Sequence, residues 1–173
     1  YAVAIDAGYQ HTCAILDTHD VKCWGSGTFG QLGYDSTTSV GDGSGTSMAQ
    51  LGTVNLGDGR TAVAIAAGSI HTCAILDNGA VKCWGYGSDG QLGYDSSSNV
   101  GDGQLDHTAM ANLPAVDLGA GRTALAIAAG GSHTCAILDT HDVKCWGAGS
   151  FGQLGYDSTS NVGNVPDSGM AQL

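Results

Sequence analysis

The chain has 173 residues, 42% of them hydrophobic, 29 glycines and a formal net charge of −11. That length and apolar content suit one domain with a core. The negative charge opposes phosphate-backbone and anionic-lipid binding, which need clustered Lys and Arg, so no nucleic-acid partner is expected. No apolar run approaches the roughly 18 residues of a membrane span, and direct membrane insertion is not expected. All the acidic residues are Asp, and only three Lys and two Arg accompany them. Helix faces normally use Glu and Lys, whereas Asp, Gly, Ser and Thr favour turns, so the composition predicts strands and loops.

Read from the start, the chain opens on "AVAIDAGYQHTC", whose small apolar residues predict a tightly packed inner strand. The same opening returns as "AVAIAAGSIHTC" and "ALAIAAGGSHTC", so Cys13, Cys73 and Cys135 are equivalent and the spacings are 60 and 62 residues. Three repeats follow from this, at 1–60, 61–122 and 123–173, the last incomplete at its C-terminal end. The extra two residues fall near Leu105 to Thr108, where a loop absorbs them. The chain begins mid-repeat without Met and stops at "MAQL", which reads as a window cut from a longer array.

Within each unit, "HTCAIL" and "AVKCWG" flank a turn such as "DNG", a strong hairpin signal. The two turn lengths give different registers. A two-residue turn at Asn78-Gly79 sets Cys73 opposite Trp84. A three-residue loop, Asp77 to Gly79, sets Ile75 opposite Val81 and Cys73 opposite Cys83, with Gly79 taking the left-handed position. His19 and His141 hold that position in the other units, and His is tolerated there. The second register brings the cysteine Cα atoms to about 4.5 Å, inside disulfide range. The pairs expected are Cys13–Cys23, Cys73–Cys83 and Cys135–Cys145. Zinc is the competing use, with His71, Cys73 and Cys83 as ligands. A structural zinc site, however, prefers four ligands in tighter pairs such as C-x2-C, and no metal is expected. The histidine is read as a core or turn residue bonded to backbone.

Lys22, Lys82 and Lys144 fall on the opposite hairpin face, where a lysine lays its stem on apolar neighbours and seeks a carboxylate. Trp24, Trp84 and Trp146 share that face and read as structural wedges between units. Beyond each hairpin lies "GQLGYDS", then a loop with Asp35 and Asp42, or Asp95 and Asp102. These carboxylates raise calcium. The third unit has Asn164 in place of the second one, so Asx turns that favour solubility are expected instead. There is no glutamate, nucleophile elbow, HExxH or phosphate loop, so neither an enzyme nor a cofactor is expected.

The motifs "AAGSIHT", "VKCWG" and "DGQLG" resemble the regulator of chromosome condensation repeat family, in all three units. "LPAVDLG", Leu113 to Gly119, resembles the family's outer-strand segment. The cysteines and Asp loops resemble a secreted, cysteine-bearing branch found in surface proteins of bacteria and algae. The resemblance implies an all-β fold of propeller blades with four strands each, in a ring of about seven. Three blades cannot close such a ring, so the expectation is part of a β-propeller or an open, filamentous blade array. The family's best-known member activates a small nuclear GTPase and binds chromatin. That activity is not carried over to so acidic a chain. The function expected is an extracellular or cell-surface structural protein that joins copies of itself head-to-tail, as a building block of a filament or sheath. The alternative is a secreted propeller that grips a protein or glycan through its loops.

Overall fold

A computed structural model describes residues 1–43, 47–104, 109–166 and 170. The expected insertion site at Leu105 to Thr108, and most of the final "MAQL", lie outside these. Among the described residues, nine strands form three antiparallel sheets in chain order. The first holds β1 (Ala2–Ala7), β2 (His11–Leu16) and β3 (Val21–Gly25). The second holds β4 (Ala62–Ala67), β5 (His71–Leu76) and β6 (Val81–Gly85). The third holds β7 (Ala124–Ala129), β8 (His133–Leu138) and β9 (Val143–Gly147). Each sheet is a propeller-type blade, numbered one to three below.

The hairpin register is the three-residue one. Ile75 faces Val81 and Cys73 faces Cys83, and the other blades repeat this. Gly79 sits at φ 78°, and His19 and His141 at 63° and 70°, in the left-handed region. The cysteines form cross-strand bridges Cys13–Cys23, Cys73–Cys83 and Cys135–Cys145, with Cα separations of 4.1, 4.0 and 4.0 Å.

A regular fourth strand is not present in the described blades. Its place is taken by an extended segment held by one backbone bond. Val54 N–H donates to Val21 O and Val116 N–H donates to Val81 O, both at 2.8 Å. "LPAVDLG" is thus the outer segment of blade two, but it does not pair along its length. The reason lies two residues on, where Leu56 O accepts from Lys82 of the next blade at 2.9 Å. The segment bridges two blades instead of completing one.

Blades stack face to face. In blade two every residue of β5 and β6 is buried, because a neighbour covers each face. The core is one continuous cluster running through all three blades, with Trp84, Trp146, Ile15, Ile75 and Leu92 among its most buried members.

Candidate functional site: the joint between blades

The joint between blades one and two begins with His11 at the start of β2. Its Nε2 lies 2.8 Å from Thr72 Oγ1 on β5. Thr72 donates its only hydroxyl proton to Gln31 O at 2.9 Å. The hydroxyl therefore accepts from the imidazole, which fixes His11 as the Nε2–H tautomer. Trp84 Nε1 donates to the same carbonyl at 3.1 Å. The joint between blades two and three repeats the set: His71 Nε2 to Thr134 Oγ1 at 2.9 Å, Thr134 to Gln91 O at 3.0 Å, and Trp146 Nε1 to Gln91 O at 3.0 Å.

The histidines are thus bonded across the joint to a threonine side chain, and not to backbone as the sequence suggested. The residue that follows each His explains the difference: in "HT", the Thr of one unit is aimed at the His of the unit before it. The Nδ1 atoms of His11 and His71 are buried without a partner. Burial pushes the pKa of His71 down to about 3, and the neighbouring His11 and His133 add to the fall. Burial also lowers His11, against the opposing charge of Asp6. The close approach depends on glycine. A methyl group at Gly68 would overlap the His71 ring and stand 2.6 Å from Gly130 O of the next blade.

Other links lie outside this relay. Asp35 Oδ1 accepts from Met110 N–H at 2.9 Å, and Asp95 Oδ1 from Met170 N–H at 3.0 Å. Asp102 Oδ1 accepts from Gln104 N–H, the expected Asx turn. The repeated Asp of "GYDS" therefore ties one blade to the next. The lysines also depart from expectation: Lys82 Nζ donates to Leu56 O, and Lys144 Nζ to Leu118 O at 3.1 Å and Met170 O at 2.9 Å. They find carbonyls because the outer segment lays peptide oxygens over that face, while Asp117 of that segment acts on Lys144 through its charge. Trp84 and Trp146 are fully buried wedges, as expected. Gln31, Gln91 and the threonines were missed by sequence reasoning; their only signal was the recurrence of "GQLG" and "HT" in every unit.

Both halves of the joint recur uncovered at opposite ends of the described chain. On blade three, Ile137 is 41% exposed and Val143 62%, where Ile15, Ile75, Val21 and Val81 are at most 2% exposed. A hollow of about 640 Å³ there is lined by His133, Gln153 and Phe151. On the opposite face of blade one, Met48 is 46% exposed, where Met110 and Met170 are fully buried.

Two profiles described as the Regulator of chromosome condensation (RCC1) repeat match the chain, one at 2–31, 62–91 and 125–153, just over half of it, and another at 78–137. Human "Probable E3 ubiquitin-protein ligase HERC4" is 29% identical over 92% of this chain and 13% of its own length. Mouse "RCC1 domain-containing protein 1" is 28% identical over 90% of this chain and 46% of its own. The crystal structure of Prp20p from Saccharomyces cerevisiae, described with its binding properties to Gsp1p and histones, superposes with a TM-score of 0.71. It is 21% identical, over 95% of this chain and 37% of Prp20p, and so supports the fold alone. The chain spans less than half the length of each of these relatives. On its repeats, its blades and the profiles they match, it belongs to the regulator of chromosome condensation repeat family.

Proposed function

We propose that this chain is a structural repeat protein of an extracellular or cell-surface setting, a building block of a filament or sheath that joins copies of itself head-to-tail. Its units run 1–60, 61–122 and 123–173, and its three disulfides are formed in the native protein. The observation that carries this reading is the duplicated joint. Two internal joints repeat the same His–Thr–Gln–Trp set, one heterologous contact made twice in chain order. A heterologous contact of this kind propagates as a ring or fibre, depending on the rotation per step. Bridges in every unit favour an oxidising compartment. The ligase named for the human relative belongs to a protein of which this chain matches 13%, and no such activity is proposed here.

The test is sedimentation of the oxidised chain across a wide concentration range, with Ile137→Asp beside it. The native chain should form concentration-dependent oligomers, visible as rings or fibres by electron microscopy. Ile137→Asp should stay folded and monomeric, since that side chain is already 41% exposed. A native chain that remains a stable monomer throughout would sink the proposal and leave the loop-binding propeller as the better reading.

A further inference from the structure

We infer that the face built from the turn between the first two strands of each blade and the loop after the third, with Phe29 and Tyr86 at its centre, is a recognition surface for a protein segment that carries arginine beside an aliphatic side chain. The supporting observation is where near-identical units differ. From Ala7 to Ser36, and through the two counterparts of that stretch, only three positions hold three different residues. The first is Tyr9, Ser69 and Gly131, the second Gln10, Ile70 and Ser132, and the third Ser26, Tyr86 and Ala148. Backbone bonds gather them on one face in every blade. Ser26 N–H donates to Gln10 O at 2.8 Å, Tyr86 N–H to Ile70 O at 2.9 Å and Ala148 N–H to Ser132 O at 2.8 Å. The second and third strands of each blade, with their cysteines and joint residues, are copied unchanged. Variation gathered on the loops of one face, over a scaffold held constant, marks where a repeat protein meets its partner.

The joint between blades one and two turns this variation into a patch. Phe29 of blade one and Tyr86 of blade two meet edge to face, with ring centroids 5.1 Å apart and planes at 68°. Both rings and Ile70 stay half-buried, although neighbours cover both faces of blade two. The patch thus lies at an internal joint with both contributing blades present. At the second joint the same positions hold Asp89 and Ala148, so the aromatic pair is particular to the first. Tyr among Ser and Gly is the composition of antibody combining loops, in which Tyr gives rigid contact area and Ser and Gly give adaptable hydrogen bonding. Charge selects the occupant. Asp89 is the single charged residue in segments 8–10, 26–31, 68–70, 86–91, 130–132 and 148–153. The lysines lie within β3, β6 and β9. Arg60 and Arg122 pair with Asp77 and Asp139 at the hairpin loops, the other end of the strands. In a chain of net charge −11 such a face draws cations. A guanidinium stacks on an aromatic ring, and Ile70 receives the aliphatic neighbour.

This inference does not rest on the assembly reading, because the patch lies at the ends of the strands and not on a stacking face. A phage-displayed library of random dodecapeptides is panned on the oxidised chain. Selected peptides are synthesised with fluorescein and titrated by anisotropy against the native chain, Tyr86→Ala, Phe29→Ala and Asn78→Thr. Ala148 and Thr18 already stand at the positions of Tyr86 and Asn78 in other units, so those two substitutions should keep the fold, and circular dichroism checks all three. Peptides with arginine beside Leu, Ile or Val are expected. Their affinity should fall at least about tenfold with Tyr86→Ala and with Phe29→Ala, and stay unchanged with Asn78→Thr at the far end of the strands. Peptides that bind folded Tyr86→Ala as tightly as the native chain overturn the proposal. So do selected peptides without a cationic residue, or a library that yields no saturable binder. An array of neutral oligosaccharides is probed in parallel. If it gives the only ligand that depends on Tyr86, the occupant is a sugar and the proposal fails.

Discussion

The Thr72 hydroxyl has one proton, and it is committed to Gln31 O. Replacing Thr72 with Val removes that donor and also the acceptor for His11, leaving a buried imidazole N–H unpaired. The cost should be about 1–3 kcal/mol, while Thr12→Val, at the open end of blade one, should stay within about 0.5 kcal/mol. Urea unfolding of the two variants measures the difference. The same tautomer sets the pH response. His71 stays neutral in the folded chain down to about 3, whereas the unfolded chain takes up that proton near the ordinary value of about 6.5. Above that value neither state binds the proton. Below it the unfolded state binds more, so stability falls as the pH drops from about 6.5 toward 3, by up to about 1.4 kcal/mol per pH unit. The only site left for a second proton is Nδ1, which is buried without an acceptor. Thermal melts between pH 7 and 4 should show the decline. His71→Gln should melt lower at pH 7 but with a flatter profile. A native melting temperature that is level across this range contradicts the argument.

The hairpin is the element in which local chemistry is most complete. Its loop, its left-handed residue and its facing cysteines all specify one register, so a slip would lose the bridge and the turn together. The bridges differ in cover. Cys13, Cys23, Cys73 and Cys83 are fully buried beneath the following blade, whereas Cys135 on the open face is half-buried. Thiol–disulfide exchange needs access to a sulfur. Non-reducing peptide mapping should link Cys73 to Cys83 and the other two pairs likewise. Under graded reductant with alkylation, Cys135 and Cys145 should be labelled first. Free thiols in the untreated protein, or equal labelling of all three pairs, would count against it.

For the molecule as a whole, stability resides in the joints as much as in the blades. The middle blade is buried on both faces, and the end blades keep one face open. Substitutions should therefore act by position in the array, not by residue type. Ile75→Asp puts a charge into a site 2% exposed and should unfold the chain, since an isolated buried charge is very costly. The chemically identical Ile137→Asp should remove only assembly. Circular dichroism of the pair, read beside their sedimentation, separates a fold defect from an assembly defect.

The sequence by itself determined what depends on near neighbours. Three repeats, the hairpins, the left-handed loop position held by Gly79, His19 and His141, and the facing of Cys73 on Cys83 all follow from spacings of ten residues or fewer within a unit, or from copying that unit. The tertiary structure decided where the polar groups of those strands end. Thr72 reaches Gln31 across 41 residues, and His11 reaches Thr72 across 61. No periodicity links such positions until blades stack. Lys82 was legible as a lysine on a packed face, but its partner is the peptide oxygen of Leu56, and a backbone carbonyl leaves no mark in composition. The same holds for Val54 and Val116: their segment reads as a fourth strand, and only the neighbouring blade, by taking the next carbonyl, turns it into a bridge.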